Sequence, residues 1–268
     1  LIIVSLLSVK WGLLGALYSL VLYQSLPFVT ALYVCRNKFW FQYKNFFGMI
    51  DTNSAKKIAR YSIMGVTTAL CAPLTSIMIR NSVESNIGIN AAGCLEAVWR
   101  LSGAYLMIIT TTLSVYYLPK LSGLFTSSDI KKEIVKAYTL ILPFAIILGL
   151  SIYILRDLIV SVLFTADFDA VGEYIGVQMI GDAIKIGGWI LSYLMLSKAL
   201  TKIYVITEIA FTVAYIVSAN YLLNRFGFYG VYYAYIAIYS VYWAVMYLVY
   251  RYVIKNTDLE NSNAIASV

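Results

Sequence analysis

The sequence predicts an all-α integral membrane protein. Three observations carry that reading. Hydrophobic residues make up 61% of the chain and charged residues only 12%, whereas a soluble domain has about 45–50% and about 25%. Apolar runs of spanning length, about 20 residues, recur from end to end. The loops between them alternate in charge: Arg36, Lys38, Lys44, Lys56, Lys57 and Arg60 in one, a neutral pair at Arg80 and Glu84 in the next, then basic again at Lys120, Lys131, Lys132 and Lys136, then acidic at Asp167, Asp169 and Glu173. Cytoplasmic loops retain Lys and Arg, so every second loop is cytoplasmic and each run between them crosses the bilayer.

Taken in order, residues 1–8 are the stub of an apolar helix that Lys10 and Trp11 close at an interface. The chain starts on Leu1 inside that run, with neither a basic n-region nor a cleavage site, which reads as truncation and not as a signal peptide. The first full span is 11–35. Residues 36–57 contain FWFQYKNFFGMID, whose aromatics alternate with lysines as in an amphipathic segment on the cytoplasmic face. Further spans follow at 58–80, 89–118, 135–164, 172–198, 201–223 and 228–253. The connections at 199–200 and 224–227 are short enough to make antiparallel neighbours, with Gly227 as a turn residue. The tail 255–268 is polar and reads as disordered. Three regions result: 1–57, the end of one lobe with its linker; 58–254, a second six-helix lobe; and the tail. Loops 36–57 and 119–134 and the tail are placed in the cytoplasm, 81–88 and 165–171 outside it. Pro73 and Pro143 fall within spans and kink them.

The net charge of +7 sits at membrane-flanking positions, so topology accounts for it better than nucleic acid does. There is no His, and Cys35, Cys71 and Cys94 are isolated. That pattern gives no zinc spacing, no CxxC and no His-based dyad.

Ionisable groups at membrane depth are the strongest pointers to function. On 89–118, steps of three and four residues put Gly93, Glu96, Arg100, Gly103, Met107, Thr110 and Ser114 on one face, with Arg100 roughly 17 Å along the helix. On 172–198 the same step joins Gln178, Asp182, Lys185, Trp189 and Ser192; on 201–223, Glu208 shares a face with Thr212 and Tyr215. One reading makes Glu96–Arg100 and Asp182–Lys185 helix-internal pairs that neutralise each other. The other, favoured by the recurrence of polar stripes on several helices, turns them toward a common water-filled cavity that meets an anionic substrate or a coupling ion. The stripe Tyr232, Tyr235, Tyr239 and Tyr242 suits helix packing and an interfacial belt more than sugar stacking. Lys198 and Arg80 read as snorkelling ends, and Arg156–Asp157 as interfacial.

The strings SVYYLPKLSGLF, LRDLIVSVLFTADF and QMIGDAIKIGGWILSYLMLSKALTKIYVITE resemble the C-terminal half of Wzx-type O-antigen and enterobacterial-common-antigen flippases of the multidrug/oligosaccharidyl-lipid/polysaccharide (MOP) exporter superfamily. The resemblance runs from about residue 58 to 254 and more weakly to residue 1. Its most specific part is GDxxKxG, formed by Gly181, Asp182, Lys185 and Gly187. It implies a MOP/MATE-like fold of two six-helix lobes, the second complete here, in the bacterial inner membrane. The implied activity is translocation of undecaprenyl-diphosphate-linked oligosaccharide without covalent chemistry: a transporter, not an enzyme. No cofactor is implied, and coupling to a proton or sodium gradient stays open. The implied partners are the lipid-linked oligosaccharide, membrane lipids, and an O-antigen polymerase and chain-length regulator; nucleic acid is not among them. Arg100 and Lys185 would attract the head group, and Glu96, Asp182 and Glu208 would tune those cations or carry protons, with Trp189 beside them. Three alternatives stay open: a cation-coupled multidrug exporter, which would favour an acidic pocket; a membrane enzyme of polysaccharide assembly, which would carry a large loop with clustered acids; and a structural partner.

Overall fold

A computed structural model describes residues 2–39, 41, 51–164, 168 and 170–266, with the side chains of 2–10, 16, 20 and 259–266 left aside. It bears out the all-α reading. The described residues form α1 (Ile2–Cys35), α2 (Thr52–Asn86), α3 (Ile89–Thr112), α4 (Leu118–Ser122), α5 (Ser127–Ile154), α6 (Arg156–Leu163), α7 (Val171–Ser197), α8 (Thr201–Phe226) and α9 (Tyr229–Ala266). Seven helical stretches are long and apolar enough to cross a membrane. Helix is the form that satisfies its own backbone where no water can. Side-chain hydroxyls in the spans follow the same rule by turning back to the preceding turn: Thr67 donates to the Ile63 carbonyl at 2.8 Å and Thr111 to Met107 at 2.7 Å. Exposed Ile147, Leu150, Val213, Val217 and Leu248 give the outer faces a surface suited to hydrocarbon.

The chain divides into two compact units, 1–56 and 57–268. In the first, α1 breaks at Gly12 (φ 56°, ψ −135°), a conformation that L side chains rarely adopt. The break falls where the stub was expected to give way to the first full span. Exposed Asp51 accepts from the Ser54 hydroxyl (2.7 Å) and backbone (2.9 Å) at the start of α2, and these bonds hold its carboxyl below the ordinary range. The amphipathic reading of 36–57 lies mostly outside the described residues, as does most of loop 165–171.

In the second unit α7 is the hub. In its most apolar stretch 61% of residues are buried, against 33% or less in every other span. Small residues let neighbours reach its axis. At Gly181 a Cβ would collide with the Tyr235 ring of α9, and at Gly187 it would come within 2.7 Å of the Trp243 ring. Tyr138 of α5 then donates to the Gly187 carbonyl at 2.6 Å and accepts from Trp243 Nε1 at 2.8 Å, so α5, α7 and α9 lock at one level. Gly181→Val should therefore force Tyr235 out of place and cost about 1–3 kcal/mol of stability, read as a lowered unfolding midpoint in detergent. An unshifted midpoint would show that the ring can move aside freely.

Several boundaries differ from expectation. Helix α2 runs about six residues past the apolar run at each end, because hydropathy reports bilayer thickness and not where a helix ends. The span expected at 135–164 starts at Ser127, capped by Thr126, whose hydroxyl donates to Asp129 and accepts from its backbone, and it breaks at Leu155. Arg156 and Asp157 open the short α6, paired at 3.4 Å, with Arg156 stacked 4.6 Å from the Tyr153 ring. Helix α3 continues through one π turn, Leu113–Tyr117, into α4. The tail was expected to be disordered. Helix α9 extends to Ala266, and Asp258 accepts from Ser127 and faces Lys131 at 3.8 Å on α5, so polar contacts continue the helix beyond the apolar run. Gly227, at φ 59°, makes the turn between α8 and α9 as its sequence position suggested.

Candidate functional site

A cavity of about 480 Å³ lies within the second unit, walled by α2, α3, α7, α8 and α9. Each wall brings a different chemistry. Helix α2 contributes hydroxyls at Thr68, Thr75 and Ser76, which fall at helical spacing on one side; Thr68 bonds to the Tyr204 hydroxyl of α8 at 2.7 Å. Helix α7 contributes Gln178, Lys185, Trp189 and Ser192, the stripe predicted for it, apart from Asp182. Helix α8 contributes Glu208, Thr212 and Tyr215, again the predicted face. Helix α9 contributes Tyr235, Tyr239 and Tyr242. The tyrosine stripe was expected mainly to pack helices and form a belt; three of its four rings instead also line this cavity, while Tyr232 is buried against Tyr174 and Phe228.

Lys185 is the cation of this site. Its ammonium lies 4.9 Å from the Trp189 ring, 4.8 Å from Tyr239 and 5.2 Å from Tyr235. Three aromatic faces attract a cation electrostatically, each by about 0.5–2 kcal/mol. Among the described residues Lys185 forms no ion pair, and Glu208 shares the cavity without closing on it. An aromatic cage holds the ammonium in place yet leaves its charge unneutralised. The site can therefore present a positive charge to an anion, with aromatic faces and hydroxyls around it for a polar, ring-bearing ligand.

Asp182 behaves otherwise. It is fully buried (0% exposed) and does not reach the cavity surface. Ser102 donates to it at 2.6 Å, Tyr105 at 2.9 Å, Gln178 at 3.0 Å and Tyr235 at 2.7 Å. All four donors are neutral. The Asp182–Lys185 pair, one of the two readings of their three-residue spacing, does not form, and Asp182 does not face the cavity: it is buried among four donors from α3, α7 and α9.

The Glu96–Arg100 pair does form, at 3.1 Å, but with the Arg100 side chain 76% exposed. Neither residue lines the cavity, so the two charged pairs are not brought together there. Helix α3 presents Gly103 and Thr110 of the predicted stripe to the cavity, together with Trp99, Ser102 and Leu106 from the adjoining face. Ser102 and Tyr105 were not anticipated. Their signal was a hydroxyl pair three residues apart on a face otherwise made of buried Leu95, Val98 and Ile109. Lys198, expected to snorkel, is half-buried, donates to the Leu124 carbonyl and lies over Phe125; burial lowers its pKa. Among the described residues no group of three His, Cys, Asp or Glu could hold a metal ion.

No family model matches the chain, and no solved structure matches it. Curated proteins do. The lipid III flippases of Escherichia coli (strain K12) and Shigella flexneri are each 30% identical over 195 residues, 73% of this chain and 47% of theirs. The chain thus spans about half the length of the curated relatives it matches, and its likeness is to flippases.

Proposed function

We propose that this chain takes part in moving an undecaprenyl-diphosphate-linked oligosaccharide across the bacterial inner membrane, as a Wzx-type flippase of the MOP superfamily, with the cavity of the second unit receiving the polar head. The observation that carries the reading is Lys185, an ammonium held by three rings and left without a carboxylate. A diphosphate entering a low-dielectric region needs compensating positive charge along its route, and Lys185 provides it as a point charge. The surrounding tyrosine and tryptophan faces and the threonine and serine hydroxyls suit sugar rings, which combine apolar faces with hydroxyl edges. Glu208, on α8, can accept from sugar hydroxyls. The likeness to lipid III flippases supports the same substrate class. Nothing in this reading makes or breaks a covalent bond. Among the described residues the cavity is lined by one cation and one carboxylate, Lys185 and Glu208, and not by the acidic pocket that a cationic-drug exporter would favour.

Photo-crosslinking tests it. A benzophenone amino acid in place of Tyr239, in membranes charged with a radiolabelled polyprenyl-diphosphate-linked sugar, should capture label; the same group at exposed Leu248 should capture little. Equal labelling at both positions, or none at Tyr239, would remove the cavity from the route.

A further inference from the structure

We propose that Asp182 is a positioning residue that never meets the transported molecule and that, through Tyr235, fixes Lys185 as an unneutralised cation. This rests on the reading of Lys185 as the group that meets an anion. An ionised carboxylate has about four acceptor sites, two on each oxygen. Here Oδ1 takes Gln178 and Tyr235, and Oδ2 takes Ser102 and Tyr105. The acceptor capacity of Asp182 is filled. Lys185, one helical turn further along α7, finds no free lone pair there and turns to the rings.

Tyr235 connects the two residues. Its hydroxyl donates to Asp182 at 2.7 Å, and its ring centroid lies 5.2 Å from the Lys185 ammonium. A phenol that donates to a carboxylate gains electron density in its ring, which strengthens the attraction of that ring for a cation. The ring is also seated against the bare backbone of Gly181, so it is held at both its edge and its tip. Tyr239 follows one turn along α9 and packs 4.7 Å from Tyr235; Trp189 follows one turn along α7. The cage is thus built outward from Asp182. The design joins two demands that conflict in a low-dielectric site: the cation must be stabilised, and it must not be neutralised. A carboxylate in direct contact would meet the first and defeat the second. One placed behind a tyrosine meets both.

Reductive methylation with carbon-13 formaldehyde of the full chain, purified in detergent, places a probe on each lysine, and Lys185→Arg identifies the resonance of Lys185. In the unaltered protein that resonance should be displaced upfield by the three rings. In Asp182→Asn and in Tyr235→Phe the displacement should be lost, and binding of farnesyl diphosphate, followed by native mass spectrometry, should weaken about tenfold, the scale of one charged hydrogen bond. A residue of merely structural role would lower the unfolding midpoint and leave the Lys185 resonance where it was; that outcome overturns the proposal. So does an undisplaced resonance in the unaltered protein. If Asp182→Asn does not fold, Tyr235→Phe decides alone, since it removes one hydroxyl and keeps the ring. If the resonance moves in both variants but farnesyl diphosphate binds equally to them and to Lys185→Gln, the positioning role stands and the anion-binding reading of Lys185 falls.

Discussion

Asp182→Leu, just behind the cavity wall, should destabilise the second unit more than any single substitution in that wall, by about 4 kcal/mol. Leucine fills a similar volume but accepts nothing. Ser102, Tyr105, Gln178 and Tyr235 would each lose an acceptor, and each buried donor left unmet costs about 1–3 kcal/mol. Some recover part of it: Gln178 can rotate, and Ser102 can turn to a carbonyl of its own helix, which keeps the sum below four full penalties. The loss is also spatially concentrated, because the four donors come from α3, α7 and α9. Asp182→Asn should cost less, since one of its two terminal atoms still accepts. The buried thiols of Cys71 and Cys94 supply the measurement. A thiol-reactive fluorogenic dye in detergent should report a midpoint lowered strongly in Asp182→Leu and modestly in Asp182→Asn. Equal, small shifts would mean that the donors find other acceptors and that the cluster holds little of the fold.

The sequence already contains most of this architecture, and the reason is the solvent. A bilayer permits helix and little else, so hydropathy and charge alternation suffice to place seven spans, and Gly227 and the start of α7 fall within a residue of expectation. Interactions within one helix were also accessible. The Glu96–Arg100 pair at a four-residue step is present at 3.1 Å. What periodicity does not carry is the partner across a helix interface. Asp182 and Lys185 stand three residues apart, and local reasoning joins them; the structure separates them because Ser102, Tyr105 and Tyr235, remote in sequence, fill the carboxylate first. The tyrosine stripe of α9 shows the same limit. Its spacing is compatible with packing, with a belt or with a cavity wall, and only the neighbouring α7 glycines and Lys185 select among them. Helix ends were blurred where polar residues carry a helix past the membrane, as in α2 and α9.

Lys185→Gln should have the largest effect on function of any substitution in the cavity, and it should act without loss of protein. In cells that depend on the gene encoding this chain for surface glycan, glycan should fall roughly tenfold or more, on the premise that the lost charge contributes at least one charge-assisted contact to the diphosphate as it crosses. Lys185→Arg should retain more, because a guanidinium keeps the charge and stacks well on aromatic rings; its larger plane in a cage sized for an ammonium sets it below the native residue. Protein abundance is the discriminating control. Removing one member of a buried ion pair strands the other charge and destabilises the fold, so a paired lysine would lower abundance and activity together. Lys185 closes no ion pair: Asp182 keeps its four neutral donors when the ammonium is gone, Glu208 lies beyond ion-pair distance, and the rings left behind are apolar. Arg100→Ala gives the contrast on the exposed face of α3. With its side chain 76% exposed and its partner Glu96 beside it, Arg100 stands off the cavity, and its removal should lower glycan less than Lys185→Gln does. Full glycan in Lys185→Gln would leave the caged ammonium without a role in transport, and a larger loss in Arg100→Ala would move the anion-binding surface from the cavity to the outer face of α3.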